Sequence, residues 1–146
     1  MNRTEFLKSL GLSGAALLAT MCLGSCGSNK NDPEPTSLPA DGLVLDLTTA
    51  PYNVLRNNGG FVILQAQKIV VARTNQGAYV AVTRICSHEG NERVSFNPTQ
   101  NIFFCDVHGA QFDTNGRGLN SFGSGGLRTY RTEINATGDR LTIRNN

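Results

Sequence analysis

Tryptophan is absent from this chain of 146 residues, histidine occurs twice and cysteine four times. Charge is also scarce, at 16% of residues, with 13 Lys and Arg against 11 Asp and Glu. No basic run is present, so a nucleic-acid-binding surface has no electrostatic basis. The apolar share of 39% is enough for a packed core and excludes a disordered polyelectrolyte. The length excludes a large multidomain enzyme and fits one domain of ordinary size. No stretch after residue 26 sustains a 3.6-residue apolar period, which removes helical bundles from consideration.

What is present begins with a leader. Arg3 and Lys8 form a short basic start ahead of an apolar run from Leu10 to Leu23. That run is shorter than the roughly 20 residues of a spanning helix and reads as a signal-peptide core, residues 1–25. It ends in Leu23-Gly24-Ser25-Cys26, which resembles a bacterial lipobox, so Cys26 is the expected site of lipid attachment. Asn2-Arg3-Thr4-Glu5-Phe6-Leu7-Lys8 resembles a twin-arginine export signal with Thr in place of the second Arg; general secretion is the alternative. Residues 26–41 are polar and proline-bearing and read as the lipidated cysteine plus a flexible tether. The expectation is a membrane-anchored bacterial lipoprotein whose domain, residues 42–146, is exported, most simply to the periplasmic side. Without Arg3, Lys8 and Glu5 its balance is 11 basic to 10 acidic side chains.

From residue 42 onward the pattern is strand, turn, strand. Leu43–Leu47 alternates, and Asn57-Asn58-Gly59-Gly60 turns into Phe61-Val62-Ile63-Leu64. Ile69-Val70-Val71 follows, then Asn75-Gln76-Gly77 leads into Ala78–Val82. Ile102-Phe103-Phe104 is a further apolar run, and Tyr130, Thr132 and Ile134 share one parity before a turn into Leu141-Thr142-Ile143. Short strands at this spacing predict an all-β, antiparallel sandwich or small barrel.

The scarce residues then gather. Beyond Cys26 the only cysteines are Cys86 and Cys105, and the only histidines are His88 and His108. They form Cys86-Ser87-His88 and Cys105-Asp106-Val107-His108, each placed just after a β-rich run and therefore in a loop at a strand end. A tetrahedral zinc site accepts these ligand types, but it usually pairs like with like, C-x₂₋₄-C and H-x₃₋₅-H. Here each loop offers one Cys and one His. That arrangement suits two metal centres, one taking both sulfurs and the other both nitrogens.

C-x-H followed after 16 residues by C-x₂-H-G, with Gly109 as the glycine, resembles the Rieske iron–sulfur domain across residues 42–146. The resemblance implies a β-sandwich or barrel-like fold bearing a small cluster-binding subdomain of two loops. It also implies one [2Fe-2S] cluster, with Cys86 and Cys105 on one iron and His88 and His108 on the other. Quinol-oxidising members of that family carry an extra cysteine in each loop, joined as a disulfide. Asn91 and Val107 stand at those positions here. Their hydroxyl donors to sulfur, a Ser and a Tyr, are matched by Ala110 and Phe112, which implies a potential in the lower part of the Rieske range of about −150 to +300 mV. Phe122-Gly123-Ser124-Gly125-Gly126 lacks the proline of the family's covering segment, which predicts a more mobile cover. Asp106 and Glu89 place carboxylates beside the expected cluster.

A Rieske oxygenase needs a second domain with a mononuclear iron, and both histidines are already committed, so no catalysis is expected from this chain alone. The leading expectation is a membrane-tethered, ferredoxin-like one-electron carrier, monomeric, docking a redox partner protein through the exposed edges of His88 and His108. The alternative is a Rieske subunit of a membrane respiratory or metalloid-oxidising complex. A non-redox third reading is a zinc-stabilised lipoprotein binding module.

Overall fold

The computed structural model describes residues 37–146; the leader, Cys26 and most of the tether lie outside the described residues. Nine strands follow in order: β1 (Leu43–Asp46), β2 (Phe61–Leu64), β3 (Ile69–Arg73), β4 (Tyr79–Thr83), β5 (Val94–Asn97), β6 (Ile102–Cys105), β7 (Ala110–Phe112), β8 (Thr129–Ile134) and β9 (Arg140–Arg144). Short 3-10 turns occupy Tyr52–Arg56 and Ser121–Gly123. No described helix is long and apolar enough to cross a membrane. The all-β expectation holds, and every paired strand is antiparallel.

Six strands form one curled sheet in the order β1-β9-β8-β4-β3-β2, and β5-β6-β7 form a second, smaller one. β3 joins the two cores through its period-two alternation. Ile69 and Val71 face a core with Leu45, Leu47, Leu55, Leu141 and Ile143. Val70 and Ala72 face the opposite way, into a core with Val82, Cys86, Phe96, Phe103, Cys105 and Phe112. All four of these β3 side chains are buried, which explains an apolar run without polar alternation in the sequence.

The small sheet is organised by an aromatic ladder. Phe96 pairs with Phe103, and Phe103 with Phe112, so three rings share one face. The first two rings meet at a centroid distance of 5.2 Å, tilted by 61°. All three are fully buried, each stabilising the fold by about 1.5–3 kcal/mol through area removed from water.

The tether ends earlier than the sequence suggested. Leu38 is buried in the core of the large sheet, and the Gly42 N–H donates to the Pro39 carbonyl, so the chain is already packed before residue 42. An apolar leucine among the polar residues of 26–41 is the cause.

Candidate metal centre

The small sheet dictates where the four donors go. Cys105 is two residues beyond Phe103 on β6, so strand parity turns its side chain onto the ladder face, where it is 1% exposed. Cys86 follows β4 and enters the same core at 2% exposure. Each cysteine then opens a turn of the same construction. The Gly90 N–H donates to the Cys86 carbonyl at 2.9 Å, and the Gly109 N–H donates to the Cys105 carbonyl at 3.0 Å. Both glycines have positive φ, +73° and +72°, a conformation that residues with a Cβ rarely adopt. The three residues between carry His88 and His108 outward, where both are exposed.

The result has two layers. Below, two thiols are buried as neighbours; among the described residues both cysteines are free. Burial pushes the Cys86 thiol up, and Cys105 beside it adds to the rise, against the pull of the His88 and Glu89 backbone N–H groups. A metal entering here would displace the thiol protons. Above, the His88 and His108 Nδ1 atoms face each other at 3.3 Å, with ring centroids 4.9 Å apart. Two nitrogens bound at about 2.1 Å to one tetrahedral metal lie roughly 3.4 Å apart, so this pair fits a single ion. Neither thiol joins the group of donor atoms within 4.8 Å of one another, which comprises His88, Glu89 and His108. A single Cys₂His₂ ion would require all four donors that close. Sulfur and nitrogen donors in separate layers suit a centre with two metals.

A third loop closes the site. The Phe122 ring lies edge-on to His88 at 5.1 Å and closer to parallel with His108 at 6.4 Å. Asn120 fixes this loop. Its amide nitrogen donates to the Gly109 carbonyl at 2.8 Å, and its Oδ1 accepts from the Gln111 and Gly123 N–H groups at 3.2 and 2.9 Å. A Cβ on Gly123 would meet the Gln111 carbonyl oxygen at 2.4 Å, so only glycine allows this approach. The missing proline thus has a counterpart in Asn120 and close glycine packing. Sequence reasoning missed Asn120, whose role is visible only once β7 and the third loop are adjacent.

The two carboxylates differ. Asp106 is gripped by the Arg93 guanidinium, Nε to Oδ1 at 2.9 Å and a second contact from the other nitrogen to Oδ2. Arg93 holds the Asp106 carboxyl below its usual range and matches its charge. Glu89 has no such partner among the described residues: its Oε2 lies 3.6 Å from His108 Nδ1. Behind the first loop, half-exposed Glu92 pairs with the buried Lys68 ammonium at 2.5 Å and ties the loop to the β2–β3 turn.

A family model for the Rieske [2Fe-2S] domain matches residues 50–131, which include all four donors. No curated protein matches the chain. Among solved structures, the ferredoxin of carbazole 1,9a-dioxygenase from Nocardioides aromaticivorans IC177 is similar at 16% identity and a TM-score of 0.55, over 75% of this chain and 100% of that one. A quaternary ammonium Rieske monooxygenase is similar at 15% identity and a TM-score of 0.53, covering 72% of this chain but only 30% of its own length. The cyanobacterial plasma membrane Rieske protein PetC3 from Synechocystis PCC 6803 is 26% identical over 57% of this chain and 83% of that one, with a TM-score of 0.48. The first two share the fold of this chain.

Proposed function

The chain belongs to the Rieske [2Fe-2S] domain family, and from that membership we propose a membrane-tethered carrier that passes single electrons between partner proteins on the exported side. The family makes it an electron-transfer protein with one Rieske-type [2Fe-2S] cluster, which when bound takes up and releases one electron. Cys86 and Cys105 hold the cluster from the buried side, and His88 and His108 hold it from the exposed side. The observation that carries this assignment is the 3.3 Å approach of the two Nδ1 atoms above a buried thiol pair.

The chain's own residues supply burial, orientation and access. The Phe96–Phe103–Phe112 ladder keeps water from the thiols, and the Gly90 and Gly109 turns aim the imidazoles outward. Beside them Val107 and Phe122 are 44% and 45% exposed, apolar surface suited to contact with a partner protein. Cys26 supplies the tether through its lipid.

Metal and acid-labile sulfide analysis of anaerobically purified protein, with EPR of the reduced form, tests the reading. Two irons and two sulfides with a His-ligated spectrum are expected, and Cys105→Ser should remove all of them. One zinc and no sulfide would refute the carrier. Stable co-purification with a larger redox protein would make the chain a complex subunit instead. Cys26→Ala should release soluble protein with its cluster intact.

A further inference from the structure

Of the carboxylates in the two donor loops, Asp106 is paired with Arg93, whereas Glu89 has no arginine or lysine partner among the described residues. Its Oε2 stands 3.6 Å from His108 Nδ1, and His108 Nδ1 stands 3.3 Å from His88 Nδ1. One ligand atom from each of the three residues falls within 4.8 Å of the others. Donors bound to one ion at about 2.0–2.2 Å are separated by roughly 2.9–3.5 Å when adjacent, so a small closing movement of side chains brings all three into range. Glu89 is 54% exposed and His108 39%, so an ion would enter from solvent without opening the fold. Asp106, though next to Cys105 in the chain, is excluded by its fork with Arg93.

We propose that, when the cluster is absent, His88, His108 and Glu89 bind one divalent transition-metal ion. Two imidazoles and a carboxylate, with the remaining positions left to water, form a donor set for borderline ions such as Fe²⁺, Zn²⁺ or Co²⁺. The thiols take no part, because neither sulfur belongs to the close donor group. The site rests on geometry alone, but its consequence rests on the carrier reading above. The ion would use the same two nitrogens as the cluster, so the two occupants exclude each other, and free divalent metal would slow cluster insertion.

The test is titration of Co²⁺ into the full chain, prepared without cluster and with reduced thiols, followed by visible absorption. One Co²⁺ per chain is expected, with the weak ligand-field bands of nitrogen and oxygen ligation and no thiolate-to-cobalt charge transfer. Glu89→Gln should weaken binding at least as much as loss of an outer-shell partner does, about 10–100-fold. His108→Ala should abolish it, and cluster-loaded protein should bind none. Thiolate charge transfer, unchanged affinity in Glu89→Gln, or equal binding by cluster-loaded protein would each overturn the proposal. If the chain binds Co²⁺ as described but never acquires iron and sulfide, the carrier reading fails and the site stands. If the cluster loads and the cluster-free chain takes no Co²⁺, only this site fails.

Discussion

The large sheet and the small sheet solve the same problem by different means. Six strands of four to six residues surround an aliphatic core in the first, and a leucine from the tether helps to seal it. The second has three strands, one of only three residues, and replaces length with aromatic rings, glycine turns and two inward cysteines. The large sheet can hold its register by side-chain packing alone. The small one adjoins the exposed loops that carry His88 and His108, where little is buried and packing is least able to help. Specificity of position there falls to individual contacts such as Asn120 and Arg93.

The widest effect should come from β3, which serves both. Val70 and Val71 are both fully buried and adjacent, yet they face different cores. Either change to alanine should cost about 2–3 kcal/mol in urea unfolding, from lost methyl groups and the cavity they leave. Their effects on the site should diverge. Val70→Ala, which loosens the core holding both cysteines, should hasten cluster loss followed by visible absorption, and Val71→Ala should leave that rate near wild type. Equal acceleration by both would erase the distinction between the two regions.

A more local break is Asn120→Ala. It strips three backbone partners at the joint between the second donor loop and its cover, one carbonyl and two N–H groups. The cost should be about 1–3 kcal/mol, since some of these groups lose a partner in a partly buried place. Hydrogen exchange should rise at Gln111 and Gly123 before it rises anywhere in the large sheet. A uniform rise across both sheets would show that the cover is not a separate unit.

This division also governs how much the sequence discloses. β2 was expected at Phe61–Leu64, and it spans those residues. The runs at 69–71, 78–82, 102–104 and 141–143 likewise mark strands, because apolar and β-branched residues are consecutive there. β5 and β7 were not foreseen. Val94-Ser95-Phe96-Asn97 has two apolar residues, and Ala110-Gln111-Phe112 is too short to show a period; both are strands because β6 lies between them. The four candidate donors stand out for another reason: His and Cys are so scarce that their pairing is conspicuous. Their surroundings were not. Glu89 beside His108, Asp106 in the fork of Arg93 and Phe122 across both rings join residues from separate loops, and no local pattern encodes such contacts.

A smaller effect sharpens the role of the ladder face. Ala110 is paired with Cys105 on β6 and is fully buried. Directly opposed side chains on one face lie about 4.5–5.5 Å apart, close enough for a serine hydroxyl to reach toward the sulfur. Ala110→Ser should therefore raise the midpoint potential, since a hydrogen bond to sulfur favours the more negative reduced state. A redox titration followed by EPR reads the change directly. A fall in potential, or none, would mean that the residue opposite Cys105 does not tune the centre, and the expectation of a lower-range potential would lose its basis.

The smallest effect belongs to the far turn of the large sheet, between β8 and β9. Asp139 Oδ1 accepts from the Thr137 hydroxyl at 2.7 Å and from the Asn135 amide at 2.6 Å. These bonds, Thr137 foremost, hold its carboxyl below the ordinary value of 3.8. A carboxyl depressed by folding stabilises the fold above its unfolded value, and that contribution is lost as pH falls through the folded value. Asp139→Asn keeps an acceptor oxygen but not the charge, so it should lower the thermal midpoint slightly near neutrality. The gap from wild type should then close as pH falls below 3.8. Because this turn belongs to the large sheet, the visible spectrum and potential should match wild type at every pH where the protein is folded. A gap that persists in acid would assign the loss to the turn's geometry, whereas an altered spectrum would mean that the β8–β9 turn is coupled to the donor loops through β8 and β4.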